Sequence, residues 1–209
     1  MTYFESQNSQ GVSLTDHIVF FDLEWTSWEG SMDNNYSEPW QHQEVIQIGA
    51  VRVDPMDEFS EVSAFNQYVI PQINSELSDY IVKLTGITQT KIDVEGIPFQ
   101  RALNLFAAFT ENWRLPTYSW GHDWVVLKQA CELYKLSIPE GINNNMHDLR
   151  QKFLTAGLDV DEVYSGDLHS HFGLSLNLHA HDALHDVRSM TAAVAHLTAL
   201  DSQLFGKLL

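Results

Sequence analysis

The stretch IVFFDLEW at residues 18–25 constrains the fold of this chain more than any other segment. Its residues are apolar or aromatic at odd and even positions alike, whereas a strand with one solvated face would alternate. The pattern therefore predicts a central β-strand that is covered on both faces. Asp22 and Glu24 interrupt it. Because residues two apart in a strand share a face, their carboxylates project to the same side, about 7 Å apart.

The rest of the chain predicts a mixed α/β domain. EVIQIGAVRVD and FSEVSAFNQYVI read as strands, and the short turns around them predict an antiparallel meander with the first strand. Helical segments follow, among them PFQRALNLFAAFTENW and NMHDLRQKFLTAGL, together with one short strand, PTYSW. No linker or internal repeat divides the sequence, so we expect one domain over residues 1–209 with a core at about 17–200. Apolar residues repeat at helical spacing in the last helix, at Ala183, Val187, Met190, Val194 and Leu197.

Asp22 and Glu24 are not expected to stay buried as two unneutralised charges, because burying an ionised carboxylate costs free energy and a like charge nearby adds to that cost. Either one of the pair is protonated, or a cation neutralises both, or the strand end is simply exposed. Asp123 begins a helix on its apolar face, although it could instead cap that helix. Asp186 precedes the core position Val187, although it could be a solvated acid on the helix flank. Four carboxylates at the edge of a core would suit Mg²⁺ or Mn²⁺.

Charge and cysteine content narrow the classes of partner and compartment. The chain has 11 Lys and Arg against 28 Asp and Glu, a net charge of −17, and no basic run. This argues against a large electrostatic footprint for duplex nucleic acid. A single cysteine, the absence of a long apolar run and an N-terminus without a secretory pattern predict a cytoplasmic protein that does not bind membranes.

Three segments resemble the motifs of the DEDD 3′→5′ exonucleases. FDLEWT resembles the first motif, SWGHDWVVL the second, and HDALHD the third motif of the DEDDh branch, where a histidine stands five residues before the last aspartate, as His181 and Asp186 do. EVIQIGAV, LTGIT and SWEG are similar to the Eri1-like and KapD-like members. The resemblance covers about residues 17–200. It departs from the pattern before Asp123, where one residue is missing, and at Trp25, where relatives often have a small residue.

The resemblance implies an RNase H-like α/β fold, with a mixed five-stranded sheet flanked by helices. It also implies hydrolysis of the 3′-terminal phosphodiester of single-stranded nucleic acid, RNA rather than DNA, with two divalent cations, Mg²⁺ or Mn²⁺. Asp22 would contact both cations, Glu24 and Asp186 would complete the shell of one, and Asp123 would hold the other. His181 would be the general base, standing on a loop just before the last helix.

The resemblance also implies contacts to the terminal nucleotide. Trp25 could stack on a base, a contact worth about 1–3 kcal/mol, whereas Trp28 is expected to pack in the core. LTGIT would offer backbone groups and a small apolar contact, although Gly86 fits an ordinary helix end equally well. The expected substrate-binding residues are Trp25, Thr26, Thr85, Gly86 and Ile87.

Two other functions compete with this one. The histidines near the third motif could hold zinc, although the order of a metallo-β-lactamase-like hydrolase is absent and Asp22 and Glu24 would stay unexplained. Alternatively, the fold could be a catalytically weak or inactive binding module, which the shortened second motif favours. The histidines concerned are His169, His171, His179, His181 and His185.

Overall fold

In the computed structural model, which describes residues 17–209, the first three strands pair as the predicted antiparallel meander. A fourth predicted strand, PTYSW, pairs in parallel with the first. The strands are β1 (Ile18–Trp25), β2 (Val45–Asp54), β3 (Ser60–Ile70), β4 (Ile97–Pro98), β5 (Thr117–Ser119) and β6 (Met146–Asp148).

The sheet order is β4-β3-β2-β1-β5-β6, so the strand with the two carboxylates lies near the centre. The mixed α/β class is confirmed, but within residues 17–209 the sheet has six strands where five were expected. The additional pairing comes from short strands that show no periodicity in the sequence. β4 has two residues and pairs with Val69 and Ile70 at the sheet edge, and β6 has three and was expected to begin a helix.

Helices follow the meander and cover both faces of the sheet. They are α1 (Asp79–Thr85), α2 (Gln89–Glu95), α3 (Phe99–Phe109), α4 (Asp123–Leu133), α5 (Glu140–Asn144), α6 (Leu149–Thr155), α7 (Leu168–His171), α8 (Ala183–Leu200) and α9 (Phe205–Leu208), with a 3-10 turn at Ser165–Asp167. As predicted, α1 ends at Gly86, which has a φ of 73° and donates its N–H to Val82. α3 ends at Phe109, earlier than the predicted Trp113, because residues 111–113 take positive φ angles.

Two apolar clusters lie on opposite faces of the sheet and share β1. Phe20 packs with α8 on one face, and Phe21 packs with α3 and α4 on the other. All five apolar positions predicted for the last helix are buried. The covered strand expected from the sequence is thus confirmed, and Asp22 and Glu24 continue the face on which α8 packs.

Within the part of the chain that the structure describes, no helix is both long and apolar enough to cross a bilayer. The segment MTYFESQNSQ, on which the expectation about a secretory signal rests, lies outside the described residues.

Candidate active site

Asp22 and Glu24 are buried at the carboxyl end of β1, with side chains 7% and 8% exposed. The alternative that this strand end is exposed is therefore wrong. Their neighbours on β2 are Gly49, opposite Asp22, and Gln47, opposite Glu24. The two carboxylates share a face with Phe20, as the strand period requires.

Asp123 is the first residue of α4 and is also buried, at 6% exposure. The N-cap position belongs to His122, so the alternative that Asp123 caps the helix is wrong. The shortened second motif is accommodated by Gly121, whose φ is 83° and whose N–H donates to Asp148 Oδ1 at 3.2 Å. This turn directs Asp123 toward Asp22, and the two carboxyl groups influence each other's pKa.

Asp186 lies in the first turn of α8 and is 4% exposed, so the expected alternative of a solvated flank acid is also wrong. Its Oδ2 accepts a hydrogen bond from Ser165 Oγ at 3.3 Å. Gly166 packs so closely that an added Cβ would lie 2.5 Å from Asp186 Oδ1. A segment twenty residues away in sequence therefore borders this carboxylate.

His181 lies on the turn before α8, as expected, with a φ of 61° in the left-handed region. The next residue, Asp182, caps the helix by accepting the N–H groups of Leu184 and His185 at 3.1 and 3.2 Å. His181 is half-buried. One ring nitrogen of His181 and one carboxylate oxygen each from Glu24 and Asp186 all lie within 4.8 Å of one another.

Burial and mutual repulsion raise the pKa of all four carboxyl groups. Burial is the largest cause for each, and the neighbouring acids add to it for Asp22 and Glu24, whose pKa values rise well above the ordinary range. The pKa of Asp123 rises to about 8 and that of Asp186 to about 7. Burial lowers the pKa of His181, with an opposing contribution from Asp167. Without a cation, the site therefore retains protons on acids near neutral pH and keeps His181 neutral.

These residues fit divalent cations. Asp123 Oδ2 and Asp186 Oδ1 are buried and have no hydrogen-bond partner among residues 17–209. Buried oxygens without a donor are costly, and a hard cation would satisfy them while removing the repulsion between the acids. Glu24, His181 and Asp186 form the one group of three or more such residues found in the described part of the chain that is close enough to share an ion.

The histidine-rich sequence does not form a zinc site in residues 17–209. Among its five histidines, His181 alone joins the candidate cation group. The backbone N–H of His179 donates to the ring of His185, and the Nδ1 of His169 lies near Ser189. The shortened second motif, which favoured an inactive binding module, does not separate Asp123 from Asp22, because the two carboxyl groups influence each other's pKa.

The expected substrate contacts divide into exposed and enclosed groups. Thr26, Thr85 and Ile87 are buried, at 2%, 5% and 3% exposure. Thr26 Oγ1 donates to His42 O, and the Thr85 hydroxyl accepts the N–H of Ile87. Ile87 packs in a small cluster with α1 and α2, so its side chain serves the core. Gly86 is exposed.

Trp25 in the first motif and Trp28 just after it are both half-buried. Trp25 packs partly against the core, and its Nε1 donates to Tyr36 Oη at 2.8 Å. The expectation that Trp28 packs in the core is wrong, because it forms an edge-to-face pair with Trp40 at 4.8 Å, and Trp40 is half-exposed. The loop after β1 therefore presents an aromatic pair at the surface.

Four residues that shape the site were not predicted from the sequence. Gln47 is fully buried, and its Oε1 accepts the N–H of Ala183 at the start of α8. Gly49 allows the same turn to approach β2. Ser165 and Gly166 border Asp186. The glycine and glutamine within EVIQIGAV were a usable signal, whereas the Ser-Gly pair lies in a segment without periodicity.

A comparison with known families matches residues 19–194 to an exonuclease family of the RNase T type. Among curated proteins, ERI1 exoribonuclease 2 of Xenopus laevis is 28% identical over 220 residues, covering 91% of this chain and 30% of that protein. The 3′-5′ exoribonuclease 1 of Homo sapiens is 31% identical over 126 residues, covering 60% of this chain and 30% of that protein. The chain thus spans about a third of the length of these relatives.

Solved structures share the fold. The nuclease domain of 3′hExo, a DEDDh family member bound to rAMP, has a TM-score of 0.75 and 21% identity, and the match covers 91% of this chain and 96% of that one. The cell-death related nuclease 4 (CRN-4) has a TM-score of 0.72 and 20% identity over 90% of this chain and 65% of that one. The RNase H-like architecture expected from the sequence is confirmed.

Proposed function

The chain belongs to the RNase T-type exonuclease family, and from this premise we propose that it is a metal-dependent 3′→5′ exonuclease domain that hydrolyses the 3′-terminal phosphodiesters of single-stranded nucleic acid. The observation that carries the proposal is a set of four buried carboxylates from three elements that act on one another, with His181 beside two of them, Glu24 and Asp186. An inactive binding module would have no reason to retain this arrangement, because unneutralised buried acids destabilise a fold.

Four residues would hold the cations. Glu24 and Asp186 would contact one, Asp123 the other, and Asp22, which lies among the other three acids, would contact both. Two divalent ions, Mg²⁺ or Mn²⁺, would supply positive charge to the attacking and leaving oxygens of the phosphodiester. The carboxylates are positioned by β1, α4 and α8 before substrate arrives, so little reorganisation is needed.

His181 would act as the general base and accept a proton from the attacking water on a ring nitrogen. Its lowered pKa keeps the ring neutral near pH 7, so that it is able to take up a proton. The left-handed turn and the Asp182 cap fix where the ring leaves the backbone. Its proximity to Glu24 and Asp186 puts it within reach of a water at the cation site.

The proposed substrate is the 3′ end of a single strand, with RNA favoured over DNA. Support for RNA comes from the relatives that are exoribonucleases by name. A net charge of −17 opposes a long electrostatic track along a strand. Recognition would therefore rest on the last few nucleotides, through the cations, Gly86 and the aromatic residues Trp25, Trp28 and Trp40.

Degradation of a 5′-labelled single-stranded RNA and of the same sequence as DNA tests this function. With Mg²⁺ or Mn²⁺, we expect a ladder that shortens from the 3′ end, with RNA cut faster, and a circular strand should resist. EDTA should abolish cleavage, and Asp22→Asn should slow it by at least about 100-fold. Asp161→Asn, which changes an acid whose side chain is 83% exposed, is the matched control. Cleavage that persists in EDTA or in Asp22→Asn contradicts the proposal.

A further inference from the structure

The short segment Ser165–Asp167 and the following α7 are fixed against α8. His169 donates its backbone N–H to Ser189 Oγ at 3.0 Å, and its Nδ1 lies 3.0 Å from the Gly166 carbonyl oxygen. Ser189 and Leu168 are fully buried. On the other side, Trp120 Nε1 donates to the carbonyl of Val163 at 2.8 Å. The position of Ser165 is therefore defined by bonds on both sides of it.

Ser165 contacts one of the four carboxylates directly. Its Oγ donates to Asp186 Oδ2 at 3.3 Å, and this hydrogen bond opposes the rise that burial causes in the pKa of Asp186. A hydroxyl is a neutral donor, so it orients a carboxylate without supplying a positive charge that would compete with a cation. Lys or Arg at this position would neutralise the acids and exclude the ion.

Gly166 is required for space rather than for backbone freedom, because its φ is not positive. A Cβ there would lie 2.5 Å from Asp186 Oδ1 and 3.3 Å from Oδ2. That Oδ1 is one of the buried oxygens without a hydrogen-bond partner in the described chain. The backbone of Gly166 thus borders one oxygen of the carboxylate while Ser165 holds the other.

We propose that Ser165 and Gly166 are positioning residues of the cation site: the Ser165 hydroxyl holds the carboxylate of Asp186 in the orientation in which it would bind an ion, and Gly166 leaves the space that this orientation needs. The inference rests on the proposed function only in that a divalent cation binds here. Ser165 acts through the Asp186 carboxylate and is not itself a ligand. Partners of this kind typically change metal affinity by about 10–100-fold when they are removed.

The test is Mn²⁺ binding to the full chain without nucleic acid, measured by calorimetry and by the loss of the free Mn²⁺ signal in electron paramagnetic resonance. Ser165→Ala should weaken Mn²⁺ binding by about 10-fold or more, and Ser165→Thr, which keeps the hydroxyl, should restore most of it. Gly166→Ala should weaken binding at least as much. Ser170→Ala is the matched control, since Ser170 is exposed and its Oγ donates only to the Asp167 carbonyl among the hydrogen bonds of the described chain. Circular dichroism verifies that each variant is folded.

The outcomes separate this inference from the exonuclease proposal. Weaker Mn²⁺ binding in Ser165→Ala with recovery in Ser165→Thr supports the positioning role, even where no cleavage of nucleic acid is detected. Equal Mn²⁺ binding by Ser165→Ala and the wild type overturns it, even where cleavage is strong. Failure of the wild type to bind Mn²⁺ overturns it as well, together with the cation site.

Discussion

Gly49 on β2 lies directly opposite Asp22 on β1, and it is also a point where the first turn of α8 approaches the sheet closely. A Cβ on Gly49 would lie 2.4 Å from the backbone carbon of Ala183 and from the backbone nitrogen of Leu184. The missing side chain therefore lets the first turn of α8 contact the strand at the level of Asp22. This close approach is what brings Asp186 into the same site.

Gly49→Ala should destabilise the fold and displace Asp186. Because the clash is with backbone atoms, the helix must shift, and we expect a loss of about 1–3 kcal/mol in the free energy of unfolding with weaker Mn²⁺ binding. Urea denaturation measures the first effect and calorimetry the second. Gly206→Ala is the control, since a Cβ there meets no described atom within 4 Å and should leave stability equal or slightly higher. Wild-type stability in Gly49→Ala contradicts this account of the close approach.

Asp148 should position Asp123 through Gly121. Its Oδ1 accepts the N–H of Gly121 at 3.2 Å and that of Gln151 at 3.0 Å. The same oxygen therefore caps α6 and holds the turn at Gly121 that precedes Asp123. Asp148→Ala should cost about 0.5–2 kcal/mol as a lost cap and should also slow cleavage in single-turnover assays. Asp148→Asn keeps a hydrogen-bond acceptor and removes the charge, so its stability and its cleavage rate should both be close to those of the wild type. If Asp148→Asn is as slow as Asp148→Ala, the negative charge matters rather than the hydrogen bonds.

The sequence predicted the parts of this site that follow from local periodicity. Asp22 and Glu24 stand out because β1 is apolar on both faces, and α8 was recognisable from the spacing of its apolar residues. The expectations for Asp123 and Asp186 needed a resemblance to known motifs, because each acid alone fits a helix cap or flank equally well. Ser165 and Gly166 could not be predicted, because their contact with Asp186 depends on how a segment without periodicity packs on a helix twenty residues later. The short strands β4 and β6 were missed for a similar reason, since their pairing is decided by tertiary contacts.

His181→Ala should separate proton transfer from cation binding. Removal of a general base typically costs about 10²–10⁴-fold in rate, so turnover should fall by at least about 100-fold while Mn²⁺ affinity changes little. His171→Ala, which alters an exposed histidine on α7, should behave as the wild type. Because a ring nitrogen of His181 lies within 4.8 Å of oxygens of Glu24 and Asp186, the alternative is that it ligates the ion. Loss of Mn²⁺ binding in parallel with turnover would favour that alternative and contradict the role of His181 as the general base.

The cation-free protein should lose stability as the pH rises. The pKa of Asp123 is about 8 and that of Asp186 about 7 in the folded chain, against an ordinary value of 3.8. Between about pH 4 and pH 8 the folded state therefore binds more protons than the unfolded state, and the free energy of unfolding falls with rising pH.

Mn²⁺ binds the deprotonated acids, so the rise in unfolding temperature on adding it should be larger near pH 8 than near pH 5. Thermal unfolding between about pH 4 and pH 8, in EDTA and in Mn²⁺, measures the fall in stability and the stabilisation by Mn²⁺. Asp123→Asn should make the unfolding temperature in EDTA depend less on pH. An unfolding temperature in EDTA that does not fall over this range would show that burial and mutual repulsion do not raise the pKa values of these carboxyl groups.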